Sequence, residues 1–183
     1  MSAGGYFDLK PSAAVRATFY EITDHPDGRY FDRYLYDANV DLTTTFARVY
    51  YTEMGDLTAI RNSVRPKLTY SYIPEAVQSD MPSFDSIDRI EAANSLTYSL
   101  NSTLTGRLEK NGVRSYQNYA FLDLSQTYNI HEATRKLTGP TDKRRPLSEA
   151  NGELIVKPAD WTTMTAKGKY DVYEHWFTSY NAS

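Results

Sequence analysis

Between residues 95 and 108 the chain alternates. Leu96, Tyr98, Leu100, Leu104 and Leu108 fall on every second or fourth position, and Thr97, Ser99, Asn101, Thr103, Thr105 and Arg107 take positions between them. A strand sends successive side chains to opposite faces, so this spacing predicts a strand with one oily and one hydroxyl-rich face. A helix would mix the two sets around its circumference. The alternation outlasts the ~5–6 residues of an ordinary soluble strand. It suits the roughly 9–11 residues that a membrane-crossing strand needs, with extensions beyond the hydrocarbon. Two architectures fit: a β-sandwich strand with one wetted face, and a transmembrane barrel strand with lipid outside and a polar lumen inside.

The same rhythm predicts strands on both sides. Residues 4–11 read as a short strand ended by Pro11. Residues 13–22 read as another, with Val15, Ala17 and Phe19 opposite Arg16, Thr18 and Tyr20. Asp24-His-Pro-Asp-Gly28 stacks turn formers. Residues 29–51 form one extended run, with a break placed near Asp37. Its second half sets Val40, Leu42, Phe46 and Tyr50 against Asn39, Asp41, Thr43, Thr45 and Ala47. Arg48 falls on the apolar side. A basic residue on a lipid face costs ~2–4 kcal/mol at the midplane and about 0–1 kcal/mol near the interface. In a barrel, Arg48 therefore has to lie near a rim or snorkel to it.

Residues 52–64 read as a connection and 67–73 as a strand, with Leu68, Tyr70 and Tyr72 facing away from Lys67, Thr69 and Ser71. Residues 75–94 make a long link with two acid-rich turns. Asn111-Gly112 lies between two alternating runs, which is the strongest short hairpin signal and predicts a type I′ turn. The second arm, 113–130, sets Ala120, Leu122, Leu124 and Tyr128 against Tyr119, Phe121, Asp123, Ser125 and Thr127. Residues 131–150 form a second long link. Strands follow at 151–157, 161–173 and 176–183, with Pro158-Ala-Asp160 as a turn. The sum is an all-β chain of about eight antiparallel, up-and-down strands without a convincing helix. Short turns alternating with long links are the habit of outer-membrane barrels.

Composition narrows the classes. The 183 residues carry a formal net charge of -3 and a pI near 5.6, which speaks against a nucleic-acid binder. A mean hydropathy of -0.59 suits a soluble protein, but also a barrel, because half of each barrel strand faces water. No apolar run approaches the ~18 residues of a membrane helix. The first residues show no basic and apolar leader pattern, so no signal peptide is expected in the chain. The absence of cysteine excludes disulfides and thiolate chemistry within it. Sixteen tyrosines against two tryptophans suit either strand propensity or a boundary between oil and water.

No catalytic constellation emerges. His25, His131 and His175 are dispersed, so no metal site is expected, nor any cofactor. Asp85 and Asp88 could in principle serve a glycosidase, but aspartates in turns more often bond local backbone amides. Asp80, Asp85 and Asp88 lack calcium-loop spacing. Lys143-Arg-Arg145 could pair with the phosphates of an anionic lipid, against the plainer reading of a solvated loop. Asn101-Ser-Thr103 fits a glycosylation sequon by chance inside a strand.

Arg65-Pro-Lys-Leu-Thr-Tyr-Ser-Tyr-Ile-Pro74, then Gln78-Ser79, Asp88-Arg-Ile and Ala93-Asn94, then the hairpin as far as Tyr128, resemble the barrel domain of the LptD (OstA/Imp) family. Residues 34–50 and Phe177-Thr-Ser-Tyr-Asn-Ala182 are similar to other strands of that family. The resemblance implies part of a large transmembrane β-barrel in the outer membrane of a Gram-negative bacterium. Residues 1–183 would be an interior portion of the barrel domain, without the jelly-roll, the signal peptide or the closing strands. It implies a non-catalytic translocon that takes lipopolysaccharide from a periplasmic Lpt bridge and inserts it into the outer leaflet, with an LptE-type lipoprotein as plug. On that model 75–94 is an external loop carrying Asp88, Arg89 and Asn94 of the family block. Thr97, Ser99, Asn101, Thr103 and Thr105 would face the lumen, and Leu96, Tyr98, Leu100 and Leu104 the lipid. The alternatives are another barrel, such as a porin or channel, and a soluble β-sandwich carbohydrate-binding module.

Overall fold

The computed structural model describes residues 2–3, 6–21, 30–76, 89–159 and 161–183. Ten strands form one antiparallel sheet: β1 (Ser2–Ala3), β2 (Phe7–Glu21), β3 (Tyr30–Thr43), β4 (Phe46–Met54), β5 (Leu57–Ile73), β6 (Ala93–Lys110), β7 (Val113–Asn129), β8 (Ala150–Ala159), β9 (Thr162–Asp171) and β10 (Trp176–Ala182). Their spatial order is β1-β2-β3-β5-β6-β7-β8-β9-β10, with β4 also on β5. The chain therefore runs up and down, each long strand beside the next, as the alternating pattern predicts.

β3 and β4 are two halves of one ribbon. Both pair with β5: Thr43 opposes Lys67 and Phe46 opposes Val64, leaving two residues between on each side. The register passes through the gap unchanged. Pro66 sits opposite the gap and has no N–H to donate, so the ladder loses a bond while Thr44 N–H still donates to the Pro66 carbonyl at 3.3 Å. The interruption thus falls at Thr44 and Thr45, not near Asp37. With this ribbon counted once and two-residue β1 set aside, eight strands remain.

Several boundaries depart from the sequence reading. Pro11 does not end a strand but lies inside β2, paired with Val40. β1 covers β2 only at Phe7 and Asp8, so Pro11 stands on an edge where a missing donor breaks no ladder. Residues 57–64, read as connection, belong to β5, and the turn shrinks to Gly55-Asp56, with Gly55 at a φ of 61°. Pro158 is likewise inside β8. A five-residue helix, α1 (Ile130–Thr134), opens the second long link and is capped by Asn129, whose side chain accepts from the Glu132 N–H. Asn111 and Gly112 have φ of 51° and 75°, as a type I′ hairpin requires. The expected turn at 24–28 and the acid-rich turns near Asp80 and Asp85 lie outside the described residues.

No second layer covers the sheet among the described residues. The accessible surface is 13302 Å², against roughly 9,000 Å² for a compact monomer of this mass. The described residues hold only Leu35 and Ala59 as buried hydrophobics. A sandwich would bury one face of every strand.

One close contact fixes the sheet's lower half. A β-bulge shifts the β6–β7 register between Leu104 and Thr105. It turns Tyr119 out of its expected place beside Phe121, so that its ring packs against Gly106 on the apolar face. A Cβ at Gly106 would lie 2.8 Å from Leu57 Cδ1 and would overlap the Tyr119 ring. Gly106→Ala should therefore destabilise the sheet by about 1–3 kcal/mol, the usual range for overpacking. Adding Tyr119→Leu should restore part of the loss. Urea unfolding in lipid vesicles measures both.

Candidate functional site

Antiparallel partners share a face, so the registers assign every side chain to one of two surfaces. On the first, polar partners meet across strand after strand. One row runs Arg65, Asn101, Asp123, Glu153, Lys167 and Asn181. Within it the Asn101 amide donates to the Asp123 carboxylate, and Lys167 Nζ lies 2.6 Å from Glu153 Oε1. The rows above carry Lys67 Nζ on Asp41 Oδ2 at 2.9 Å, Thr69 donating to Asp41 at 2.6 Å, and the Thr97 and Thr127 hydroxyls 2.8 Å apart. Arg16 and Asp37 pair at 3.2 Å on the same face. Thr97, Ser99, Asn101, Thr103 and Thr105 all lie within these rows.

The second face is mainly apolar over eight strands, interrupted by Asp32, Asn62, Ser102 and Gln126. Leu42, Leu68 and Tyr98 form one row; Val40, Tyr70, Leu96 and Tyr128 another; Leu100, Leu124, Gly152 and Gly168 a third. Leu96, Tyr98, Leu100 and Leu104 stand here together. Tyr36, Tyr70, Tyr72, Tyr98 and Tyr128 crowd the end near the long links, and Tyr50 and Tyr119 the end near the short turns. Ten residues separate the Tyr70 row from the Ile60–Tyr50 row on β5. At about 3.4 Å per residue and a strand tilt of about 40°, that is roughly 26 Å, close to the ~25 Å apolar band of an outer-membrane barrel. Tyrosine suits both borders, with its ring in oil and its hydroxyl in water.

Burial is inverted relative to a soluble sheet. Among the described residues the four buried side chains, Arg33, Leu35, Thr43 and Ala59, all belong to the polar face. The apolar face holds exposed Val15 (80%), Phe19 (67%), Phe46 (61%) and Met164 (56%). An exposed apolar surface of this extent marks a contact with lipid or protein. Arg48 is on this face beside Asn62, with its guanidinium 5.1 Å from the Tyr50 ring centroid, one pleat nearer the short-turn rim. In a barrel, that contact would draw the guanidinium toward the short-turn end.

The second long link is a folded strap, and Arg135 holds it. Its Nη1 and Nη2 grip Asp142 at 2.6 and 2.7 Å, its Nε donates to Glu132 at 2.5 Å, and its carbonyl accepts from Arg144 at 3.0 Å. Arg145 reaches Glu174 at 2.5 Å and lies over the Tyr173 ring, while the Tyr173 hydroxyl accepts from the Leu147 N–H at 2.8 Å. Lys143-Arg-Arg145 is thus not a merely solvated run, since two of its three side chains tie the strap down. The Arg135 guanidinium, then the Thr138 N–H, hold Asp142 well below the usual carboxylate range. Arg135, then the Arg145 N–H, lower Glu132.

Of the family-block residues, Asn94 sits at the head of β6 and accepts from the Tyr70 hydroxyl at 3.1 Å. Arg89 is exposed, and Asp88 lies outside the described residues. His131 belongs to α1 and His175 to the β9–β10 turn; His25 is not among the described residues. Sequence reasoning missed Arg135 and Asp142, which share no period. It also missed Gly106, although a glycine inside a strand pattern is a recognisable sign of close approach.

The family model described as "LptD: LPS transport system D" matches residues 1–183. The LPS-assembly protein LptD of Neisseria gonorrhoeae is 30% identical over 116 residues, covering 52% of this chain and 14% of that protein. The LPS-assembly protein LptD of Neisseria meningitidis serogroup B is 28% identical over the same coverage. The chain thus spans about a seventh of the length of these relatives.

The strap should loosen when Arg135 is replaced. Carboxylates with lowered pKa values contribute stability that is present above the ordinary carboxylate pKa of about 4 and is lost only as pH falls through the lower folded value. Amide exchange over 130–148 should stay slow from neutral pH to about pH 4 and quicken only in stronger acid. Arg135→Ala should quicken it at neutral pH while leaving β6 and β7 protected.

Proposed function

The chain belongs to the LptD family of LPS transport system proteins, and on that footing we propose that residues 1–183 are an interior wall of an outer-membrane barrel that delivers lipopolysaccharide to the outer leaflet. The apolar face, with Leu96, Tyr98, Leu100 and Leu104, meets lipid. The polar face, with Thr97, Ser99, Asn101, Thr103 and Thr105, lines the lumen. The long links, including the strap and the segment that carries Asp88, Arg89 and Asn94, stand outside the cell, and the short turns point to the periplasm. The rest of the protein supplies the strands that close the barrel and the domain that meets the periplasmic Lpt bridge. An LptE-type lipoprotein occupies the lumen.

The observation that carries this reading is the inverted burial, together with the ~25 Å apolar band between two tyrosine borders. A wall of this kind breaks no bond. Its hydroxyls and carboxamides offer exchangeable hydrogen bonds to a sugar chain that must pass without sticking, and its outer face holds the barrel in the bilayer. The outer side of β2 beyond its short contact with β1, and the outer side of β10, are where neighbouring strands of the complete barrel attach, since a sheet edge left open in hydrocarbon is not tolerated.

The contrast between neighbours tests the facing. In the full-length protein, Leu100→Arg near the middle of the band should cost about 2–4 kcal/mol and impair membrane assembly. Asn101→Arg, one residue on, loses the amide bond to Asp123 but keeps a donor for that carboxylate, and should cost no more than about 1 kcal/mol. Heat-modifiable mobility of the assembled barrel reads both, and equal damage at the two positions would defeat the assignment.

A further inference from the structure

β4 has a strand on one side only. It pairs with β5 from Phe46 opposite Val64 to Met54 opposite Leu57, and among the described residues no strand pairs with its other side. β2 pairs with the upper half of the same ribbon and stops where Asp8 meets Thr43. β1 already runs back there, with Ala3 opposite Phe7, so the turn between β1 and β2 closes the space beside β4 from above. Below that turn the wall has a notch. The Thr44 N–H donates to the Pro66 carbonyl, so even-numbered residues of the ribbon aim their backbone at β5. Ala47, Val49 and Tyr51 therefore present N–H and C=O to the notch. Eight of the nine β4 residues are exposed, against two of eighteen on β6, which has strands on both sides.

Height separates this bare edge from others in the sheet. β3 is bare toward β5 above Ala38, and β7 is bare toward β8 below Ala120. The first stretch lies above the Val40–Tyr70 row, and the second lies at or below the level of Arg61 and Thr105, beside the lower tyrosine border. Both are within reach of water. β4 differs, because Phe46 to Tyr50 opposes Val64 to Ile60, the lower part of the apolar band. Backbone groups left open at that depth have no water to bond. The strand ends at Glu21, Tyr30, Ile73 and Ala93 all lie at the long-link end, so the connections between them leave from the far end of the sheet.

We propose that a short extended segment of the full-length protein, from outside residues 1–183, adds to the sheet along β4 and fills the notch. The inference rests on the membrane-wall reading above and adds to it a strand that lies outside the up-and-down order. An added strand is what satisfies a row of alternating backbone donors and acceptors. The segment enters from the short-turn side, the open end of the notch. It belongs to the same protein, because an edge at this depth cannot stand open until a separate partner arrives. The chain spans about a seventh of the length of its relatives, which leaves ample polypeptide to supply the segment. Cross-strand neighbours share a face. The segment therefore carries apolar side chains beside Phe46 and Tyr50, which are 61% and 49% exposed. It carries a carboxylate beside Arg48, which rests on the Tyr50 ring and makes no ion pair among the described residues.

The test uses the full-length protein in cell envelopes, with photoreactive benzoylphenylalanine in place of Phe46, of Tyr50 or, as a control, of Leu100. After illumination, mass spectrometry should map the adducts from positions 46 and 50 to one peptide of the same polypeptide outside 1–183. Adducts from position 100 should fall on lipid or on residues within 1–183. With the label at position 50, Val49→Pro removes an outward N–H and leaves the β5 ladder intact. It should lower the adduct yield at least about fivefold, the equivalent of one backbone hydrogen bond. Val49→Thr, which keeps the donor, should not. Arg48→Glu should lower the yield and Arg48→Lys should preserve it. Adducts from positions 46 and 50 with lipid alone, with residues 1–183 alone or with a different polypeptide would overturn the inference. So would an unchanged yield in Val49→Pro. Heat-modifiable mobility is scored on the same samples. A barrel that forms normally without the adduct sinks the added strand and leaves the wall reading standing, whereas a protein recovered outside the membrane fraction sinks both.

Discussion

A backbone inside hydrocarbon has no water to bond, so every N–H and C=O must find a partner in the protein. A strand can meet that demand only through its neighbours, and this one constraint organises the chain. On the proposed reading the strands are long because the bilayer is thick, antiparallel and adjacent because each needs the next, and alternating because one face of each is to meet oil and the other water. The polar rows then tie the strands a second time, through side chains, where water would otherwise compete.

Departures from regular strand chemistry sit where the constraint is weakest or can be bypassed. Pro11 occupies an edge, and Pro66 faces a gap of two residues that leaves the register intact. Gly106 gives its space to a tyrosine that a bulge has turned onto the apolar face. Arg48 leans on Tyr50 toward a rim. Outside the band, the rules revert to those of a soluble loop: the strap of 130–148 is built from an Arg135–Asp142 fork, a helix cap and a tyrosine hydroxyl.

Much of this was legible in the residues. The facing sets on β3, β5, β6 and β9 follow from parity alone, and Asn111-Gly112 forms the turn it announces. The family block of Arg65 to Asn94 pointed to the family to which the chain belongs. What misled were local breakers. Proline reads as the end of a strand only where its missing donor matters, and Pro11 and Pro158 stand within strands. Residues 57–64 read as connection because Arg61, Asn62 and Ser63 mask the alternation of Ile60 and Val64. The strap depends on contacts between side chains far apart in the chain, which no period along one strand records. Whether the two faces meet lipid and lumen is carried by their chemistry and by the height of the band.

That point is open to direct measurement. This chain has no cysteine, so once any cysteine outside it is replaced or blocked, single cysteines at positions 95–105 of the full-length protein in bilayers can each carry a spin label. Collision with oxygen, which concentrates in lipid, and with a water-soluble nickel chelate reports what each site meets. The account predicts a two-residue alternation: positions 96, 98, 100, 102 and 104 favour oxygen, and positions 97, 99, 101, 103 and 105 favour nickel. A flat profile, an alternation of opposite phase, or shielding of both sets from both reagents would contradict it.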